Sequence, residues 1–310
     1  MTFTQTVFSV TMLAQTVRMA VPYACAALGG VWSERGGVVN IALEGTLLVS
    51  GLTAVAAHVA TGSAVAGAFA AIVAGGAFAF LHGFLVAREK VDAIVSGIAL
   101  NLVAAGGTRF VLRTLYDSSS NSPAVSGFTV RVGNGSSPAM ALLLRTLADP
   151  LTILTLVAVG VTVFALYRTR FGLRVRACGE DPQAASSAGV PVVPVRVLAT
   201  TIGGMMCGLG GAALAFDQHQ FQSGMSGGRG FIALAAVILS GWRPVRAVLA
   251  CLAFAALDAL QIVLQDQSRI PREVVEMFPY AATLASLVVI GLTRGAGRPP
   301  AGLGKHAEST

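Results

Sequence analysis

Four polar side chains stand inside long apolar stretches of this 310-residue chain, where they could line a path for a polar solute. They are Asn40, Glu44, Asn101 and Asp258. An ionisable group within a membrane span costs about 2.5–3.5 kcal/mol on insertion scales, so it usually faces a bundle interior or a water-filled path. The two carboxylates, Glu44 and Asp258, could instead carry a proton or a sodium ion, as transport driven by an ion gradient requires.

The first two candidates follow a pair of glycines that predicts a break between helices. The run WSERGGVVNIALEG spans Trp32–Gly45 and places Gly36 and Gly37 between two apolar stretches. Broken membrane helices are tolerated only where protein or a water-filled cavity receives the freed backbone groups. Asn40 and Glu44 could therefore lie beside a path through the bundle. In the alternative they cap the helix that follows, and the residues leave both interpretations open.

The other polar residues have structural alternatives as well. Glu34 and Arg35, beside the two glycines, are expected to be anchors at the membrane interface. Asn101 is expected to make a hydrogen bond between helices. Asp258 and Gln261 lie three positions apart, on one helical face, so they could either line a path or bond to a neighbouring helix.

A basic segment between two apolar runs sets the expected orientation. Its four arginines fall within nine positions and are Arg168, Arg170, Arg174 and Arg176. Lys and Arg beside membrane spans collect on the cytoplasmic side. We therefore expect residues 168–195 to form a cytosolic loop and residues 117–149 to form an external one. By the same rule, residues 1–293 form the membrane domain and 294–310 a cytosolic tail.

Within the basic segment, the sequence predicts a short helix whose boundaries are both marked. Asp181 can accept hydrogen bonds from the first amides, and Pro182 suits the first helical position because its missing N–H has no partner to lose. Ala184 and Ala185 begin a surface of small residues, and Gly189 supplies the left-handed residue after the helix. Such a helix could dock a partner or rest on the membrane surface, and the residues alone favour neither.

The composition is that of a membrane protein. Charged residues make up only 11% of the chain, whereas a soluble domain has about 25%. The net charge of +7 comes from cations at the ends of apolar runs, which is the positive-inside pattern and not a nucleic-acid surface. We predict an all-α, polytopic membrane helix bundle with roughly 8–10 spans, including a broken helix and a short half-helix. The apolar segments lie near 5–32, 38–60, 63–87, 91–116, 150–167, 195–216, 229–241, 244–265 and 278–293.

Motifs for catalysis or cofactor binding are not found in the sequence. It contains no GxxxxGK[ST] phosphate loop, no HExxH and no GxSxG. The polar loop at 217–231 holds a single His and a single Asp, too few for a metal site, and is expected to be a solvated external loop. We therefore expect no metal, no cofactor and no enzymatic activity, and any ATP hydrolysis must belong to another chain.

Five motifs in order give the chain a family resemblance. They are ALGGVWSERGGVVNIALEG, VDAIVSGIALNLVAAGGTRF, YRTRFGLRVRACGEDPQAASSAGV, GGRGFIALAAVILSGWRP and MFPYAATL. Together they resemble the ABC importer permeases of the branched-chain amino acid and ribose type, with most similarity to the nucleoside and simple-sugar branch. The third motif is similar to the family's ATPase-coupling segment. The resemblance assigns that role to Gly179, Glu180, Asp181, Pro182, Ala184, Ala185 and Gly189.

The resemblance also implies partners and a location. The chain would sit in the plasma membrane and form the path with a second, related permease, more often a different chain than an identical one. A cytosolic ATPase subunit would dock on the coupling segment, and an extracytoplasmic binding lipoprotein would deliver the solute. A secondary transporter driven by an ion gradient is the alternative. The motifs do not show whether the solute is a nucleoside or a sugar.

Overall fold

The computed structural model describes residues 9–129, 137–267, 274, 277–293 and 298–305. Those residues form twelve α-helices and no β-strand apart from one isolated bridge, so the predicted all-α bundle is confirmed. The helices are α1 Val10–Arg35, α2 Leu43–Thr61, α3 Ala64–Ala87, α4 Ala93–Tyr116, α5 Pro138–Ala148, α6 Pro150–Arg168, α7 Arg170–Glu180, α8 Pro182–Ser187, α9 Val192–Asp217, α10 Arg229–Leu239, α11 Pro244–Gln267 and α12 Phe278–Thr293.

Six of these helices are long and apolar enough to cross a membrane, namely α2, α3, α4, α6, α9 and the Pro244–Ile262 part of α11. The 26-residue α1 and the 16-residue α12 lie outside that set, and counting both as spans as well gives eight. Large apolar side chains on α3 and α4 point away from the protein, such as Phe69 and Leu102, which are 68% and 69% exposed. Such faces are typical of helices that contact lipid or other membrane helices. The chain is therefore a multi-pass membrane protein.

The predicted helix break is present. Helix α1 ends at Arg35, and Gly37 adopts a left-handed φ of 95°, which an L-residue with a side chain rarely tolerates. Helix α2 begins only at Leu43, so seven extended or turning residues separate α1 from α2. Their backbone groups need partners inside the protein.

Helix α9 is the central element, and its glycines let other backbones come close. It packs along α1 and α3. A Cβ atom on Gly203 would lie 2.5 Å from the Gly29 carbonyl oxygen, and one on Gly204 would lie 2.3 Å from that of Gly75. Any side chain at these positions would push the helices apart, which is the small-residue packing typical of membrane bundles.

The short half-helix is also confirmed, as the 11-residue α10. The chain reaches it through two left-handed glycines, Gly227 and Gly228. The loop before them is not fully solvated as expected, because Phe221 and Ser226 are buried to 0% and 1% exposure. Part of this loop pairs with residues 120–125 through backbone hydrogen bonds such as Ser122 N–H to the Phe221 carbonyl, 2.9 Å.

Residues 298–305 of the tail pack against the end of α7 and the break after α1. The Gly302 N–H donates to the Gly179 carbonyl at 2.8 Å, and the Gly304 N–H donates to the Gly37 carbonyl at 3.0 Å. Buried Arg196 donates from Nη1 to the Lys305 carbonyl at 2.6 Å. This part of the tail therefore joins the end of α7 to the helix break.

Candidate translocation cavity and coupling helix

Glu44 holds the start of the half-helix. It lies in the first turn of α2, yet its carboxylate reaches across to α10. Oε1 accepts from Ser226 Oγ at 2.5 Å and from the Gly228 N–H at 2.8 Å, while Oε2 accepts from the Gly230 N–H at 2.7 Å. A carboxylate at a helix N-terminus satisfies free amides and complements the helix dipole. Glu44 therefore caps α10 and not its own helix, whose N-cap position, Ala42, makes no side-chain bond.

Asn40 and Asn101 form hydrogen bonds to groups around the break between α1 and α2. Asn40 is buried and donates from Nδ2 to Ser33 Oγ at 2.9 Å. Asn101, on α4, donates to the Ile41 carbonyl at 3.0 Å and accepts from the Gly45 N–H at 2.8 Å. The expected hydrogen bond between helices is thus present at Asn101. Both amides satisfy backbone or side-chain groups around the break, and their contact with solute stays a prediction.

Glu34 and Arg35 form hydrogen bonds to Trp242, just beyond the C-terminal end of α10. Glu34 is only 2% exposed and accepts a hydrogen bond from the Trp242 indole N–H, so the expectation of an interfacial anchor is wrong for this residue. Arg35 donates from Nε to the Trp242 carbonyl at 2.9 Å. Its Nη1 lies 3.7 Å from Glu180 Oε1, at the end of α7. These contacts connect α1 to the connection after α10 and to the end of α7.

A polar cavity of about 340 Å³ opens beside the start of α10. Asp258 lines it and also accepts a hydrogen bond from the Tyr23 hydroxyl at 2.6 Å, so the bond to a neighbouring helix is present, while its place on a solute path stays a prediction. The Arg229 guanidinium lies 5.9 Å from the centroid of the Tyr23 ring. The Tyr280 hydroxyl donates to the Gly227 carbonyl at 2.5 Å. The lining residues are Tyr23, Gly227, Arg229, Asp258, Gln261, Gln265 and Tyr280.

The sequence identified only part of this cavity. Asp258 and Gln261 stood out as a polar pair, whereas Tyr23, Arg229 and Tyr280 did not, since they come from three further helices. One signal was available, because Arg229 and Tyr280 lie within two of the five ordered motifs.

A second, larger cavity of about 690 Å³ lies between α1, α5, α6 and the end of α9. An ion pair between Arg18 and Asp217 forms part of its wall. Asp149, at the start of α6, also lines it, and burial raises the pKa of this carboxyl above its usual range. This cavity adjoins the residues predicted to form the external loop.

The predicted capped helix in the basic segment is present as α8. Asp181 Oδ1 accepts from the backbone N–H groups of Gln183 and Ala184, both at 3.0 Å. Pro182 occupies the first turn, and Gly189 has a left-handed φ of 78°. Both boundaries therefore follow the local signals in the sequence.

The exposed surface of α8 is narrower than expected. Ala185 is only 5% exposed and belongs to the core of this chain. The prediction that it offers its methyl group to a partner is wrong, because the helix turns that side inward. Ala184, Ser186, Ser187 and Ala188 are exposed. A partner would therefore meet the Ala184 and Ala188 side of the helix.

Gly179 and Glu180 join α8 to the break after α1. A Cβ atom on Gly179 would lie 2.1 Å from the Arg35 carbonyl oxygen, so the two backbones are in direct contact. Glu180 Oε2 accepts from the Ala301 N–H at 3.3 Å, in addition to facing Arg35. Movement of the end of α7 would therefore act directly on the end of α1.

Comparison with known proteins decides the family. Residues 12–287 match the family model described as the branched-chain amino acid transport system permease component. The chain belongs to this permease family. It is a non-catalytic, membrane-spanning ABC transporter subunit, and the family does not support the alternative of an ion-driven carrier.

Several curated relatives cover nearly the whole chain. The guanosine ABC transporter permease protein NupQ of Bacillus subtilis is 34% identical over 88% of this chain and 89% of its own length. The putative glucose ABC transporter permease protein TsgC13 of Haloferax volcanii is 37% identical over 84% and 80%. The nucleoside ABC transporter permease protein NupC of Lactococcus lactis is 30% identical over 90% and 91%. The relatives thus fall in the branch that the motifs indicate.

Proposed function

We propose that the chain is the permease subunit of an ABC importer for nucleosides or simple sugars, with the polar cavity as part of its solute path. The cavity is the observation that carries the proposal. Its volume of about 340 Å³ lies at the lower end of the range of about 300–1,000 Å³ for small-molecule sites. The names of the relatives, which include guanosine, nucleoside and glucose permeases, support this solute class.

The cavity lining suits a neutral solute with many hydroxyl or amide groups. Gln261 and Gln265 each offer a donor and an acceptor, and Asp258 accepts. Tyr280 adds an aromatic ring, and 47% of the surface of this residue is exposed. An aromatic face can stack on a nucleobase or on the apolar face of a sugar. Sugars and nucleosides share this combination of ring faces and hydrogen-bonding edges.

The half-helix disfavours a solute carboxylate at this site. Helix N-termini inside transporters often bind anionic solute groups through free amides. Here the amides of Gly228 and Gly230 are already bound by Glu44. Glu44 and Asp258 together also outweigh the single positive charge of Arg229 nearby. An amino acid carboxylate would therefore meet neither free amides nor a net positive field.

We further propose that α8 docks a cytosolic ATPase subunit and that a second permease completes the path. The exposed Ala184 and Ala188 face supports close docking, because small side chains let a groove close on the backbone. Related permeases occur in pairs, since NupP and NupQ are both from Bacillus subtilis. This supports a heterodimer, to which an extracytoplasmic lipoprotein would deliver the solute.

Uptake into proteoliposomes tests the solute class. The complete transporter, with its ATPase, second permease and binding protein, is supplied with ATP and labelled guanosine or glucose, and leucine serves as competitor. We expect ATP-dependent uptake of at least one of the first two and no competition by leucine. Uptake of leucine alone, or uptake that needs an ion gradient and not ATP, would refute the proposal.

Replacing Gln265 with alanine should raise KM with little change in kcat. The loss of one hydrogen bond to solute costs about 0.5–1.5 kcal/mol, or roughly a 2- to 12-fold increase in KM. Gln220→Ala is the matched control, because Gln220 lies in the loop before α10 and outside the cavity lining. An equal change in both variants would show that Gln265 has no specific contact with solute.

Cysteine labelling tests the proposed orientation. Ser119 and Ser186 are exposed, on the residues predicted to be external and cytosolic, respectively. The four native cysteines are buried, and burial raises the pKa of the Cys178 thiol, so they give little background. An impermeant maleimide added to intact cells should label Ser119→Cys and spare Ser186→Cys. The opposite pattern would invert the topology.

A further inference from the structure

Helix α10 runs between the polar cavity and the coupling segment, and both of its ends are fixed by side chains from the broken helix. Arg229, its first residue, lines the cavity, as does Gly227, two residues earlier. Trp242, three residues beyond its last residue, lies against the end of α1. The helix is 11 residues long, so it is a short, stiff rod of about 16 Å.

The end of α10 beside the cavity is held tightly by its neighbours. A Cβ atom on Gly230 would lie 2.4 Å from the Glu44 backbone nitrogen, so α10 and the first turn of α2 are in backbone contact. The three hydrogen bonds to the Glu44 carboxylate fix the same point. The carbonyl of Gly227 also accepts from Tyr280 on α12. A displacement of α10 would therefore move the cavity wall directly.

The other end is fixed through the backbone and side chain of one tryptophan. Trp242 is 5% exposed and has a left-handed φ of 58°, which the surrounding contacts must maintain. Its indole N–H donates to Glu34, and its carbonyl accepts from Arg35. Arg35 then faces Glu180, one residue before the N-cap of α8. A continuous chain of contacts leads from α8 to the cavity.

We propose that Arg35 and Glu34 are positioning residues through which the coupling segment sets the place of α10 and thereby the shape of the cavity. The inference rests on the proposed function of α8 and the cavity. Close-packed interiors transmit displacement, and a stiff element held at both ends moves as a unit. Because Arg35 contacts both Glu180 and Trp242, it is the point where motion of the coupling segment reaches the rod.

Nucleotide-dependent accessibility of the cavity tests this inference. A cysteine at Gln261 reports on the cavity, and its rate of modification is measured in the complete transporter with and without a non-hydrolysable ATP analogue. We expect the rate to respond to nucleotide in the parent and not in Arg35→Gln. In the chain without the reporter cysteine, Arg35→Gln should keep ATPase association and basal hydrolysis but move about five- to tenfold less solute per ATP.

Two further variants make the test specific. Arg243→Gln makes the same chemical change one residue from Trp242, on an exposed side chain, and should behave like the parent. Trp242→Phe keeps a ring but removes the N–H that Glu34 accepts, and should lose the nucleotide response as Arg35→Gln does. Thermal unfolding of each purified complex is measured alongside.

Each contrary result is distinguishable. A normal nucleotide response in both Arg35→Gln and Trp242→Phe overturns the inference and leaves the proposed function intact. Early unfolding or lost ATPase association in both variants overturns it too, since the residues then serve only the fold. If the parent and Arg243→Gln complexes themselves show no ATP-dependent uptake, the proposed function fails, and the inference fails with it.

Discussion

Replacing Glu44 with glutamine is expected to reduce uptake about tenfold or more. The carboxylate accepts three hydrogen bonds at the start of α10, two of them from backbone amides. A glutamine side chain has one acceptor oxygen, so its amide nitrogen would face a buried donor. An unsatisfied buried donor costs about 1–3 kcal/mol, and the helix would move away from its present place beside the cavity. Initial uptake rates in proteoliposomes measure the effect.

Glu89→Gln is the control for this substitution, because Glu89 is exposed in the connection between α3 and α4. It should leave uptake unchanged. The Glu44→Gln protein should still assemble with the ATPase. The hydrogen bonds of Glu44 go to the start of α10, whereas α8 is capped by Asp181. Unchanged uptake would show that capping of α10 is dispensable, and a loss of assembly would show that Glu44 serves the fold alone.

Placing a charge on the exposed side of α8 is expected to abolish coupled transport. Ala184→Glu would put a carboxylate into the surface proposed to meet the ATPase, and an unpaired buried charge costs several kcal/mol. Gly189→Val should have a similar effect, because a β-branched residue resists the φ of 78° found there. Both variants should insert in the membrane but co-purify poorly with the ATPase and lose solute-stimulated ATP hydrolysis.

Two comparisons give this prediction its specificity. Ser119→Glu adds the same charge to an exposed position in the predicted external loop and should leave ATPase association intact. Ala185→Glu should instead destabilise the permease itself, since Ala185 is packed in the core. If Ala184→Glu keeps full ATPase association and uptake, α8 is not the coupling element.

Features with local causes could be predicted from the sequence. The boundaries of α8 follow from Asp181, Pro182 and Gly189, whose effects act within one turn of the helix. The break after α1 follows from Gly36 and Gly37. The lengths of the apolar runs gave the spans and the short α10, because a bilayer sets the length of a helix that crosses it.

Features that depend on distant partners could not be predicted. Glu44 was recognised as a polar residue after a break, but the amide that it caps at Gly228 lies 184 positions away. The inward side of Ala185 and the burial of the loop around Phe221 also depend on how helices pack together. Small or polar residues in these segments are compatible with both a buried and an exposed position, so composition alone could not predict which residues are buried.

Site-specific photo-crosslinking from α8 tests the central claim of the account most directly. A photoreactive amino acid is placed at Ala184 or, as control, at Ser119, and the complete transporter is irradiated with and without ATP. The account predicts an adduct with the cytosolic ATPase subunit from position 184, none from position 119, and a yield that changes with ATP. The absence of an ATPase adduct from position 184 in an assembled, transporting complex would contradict it.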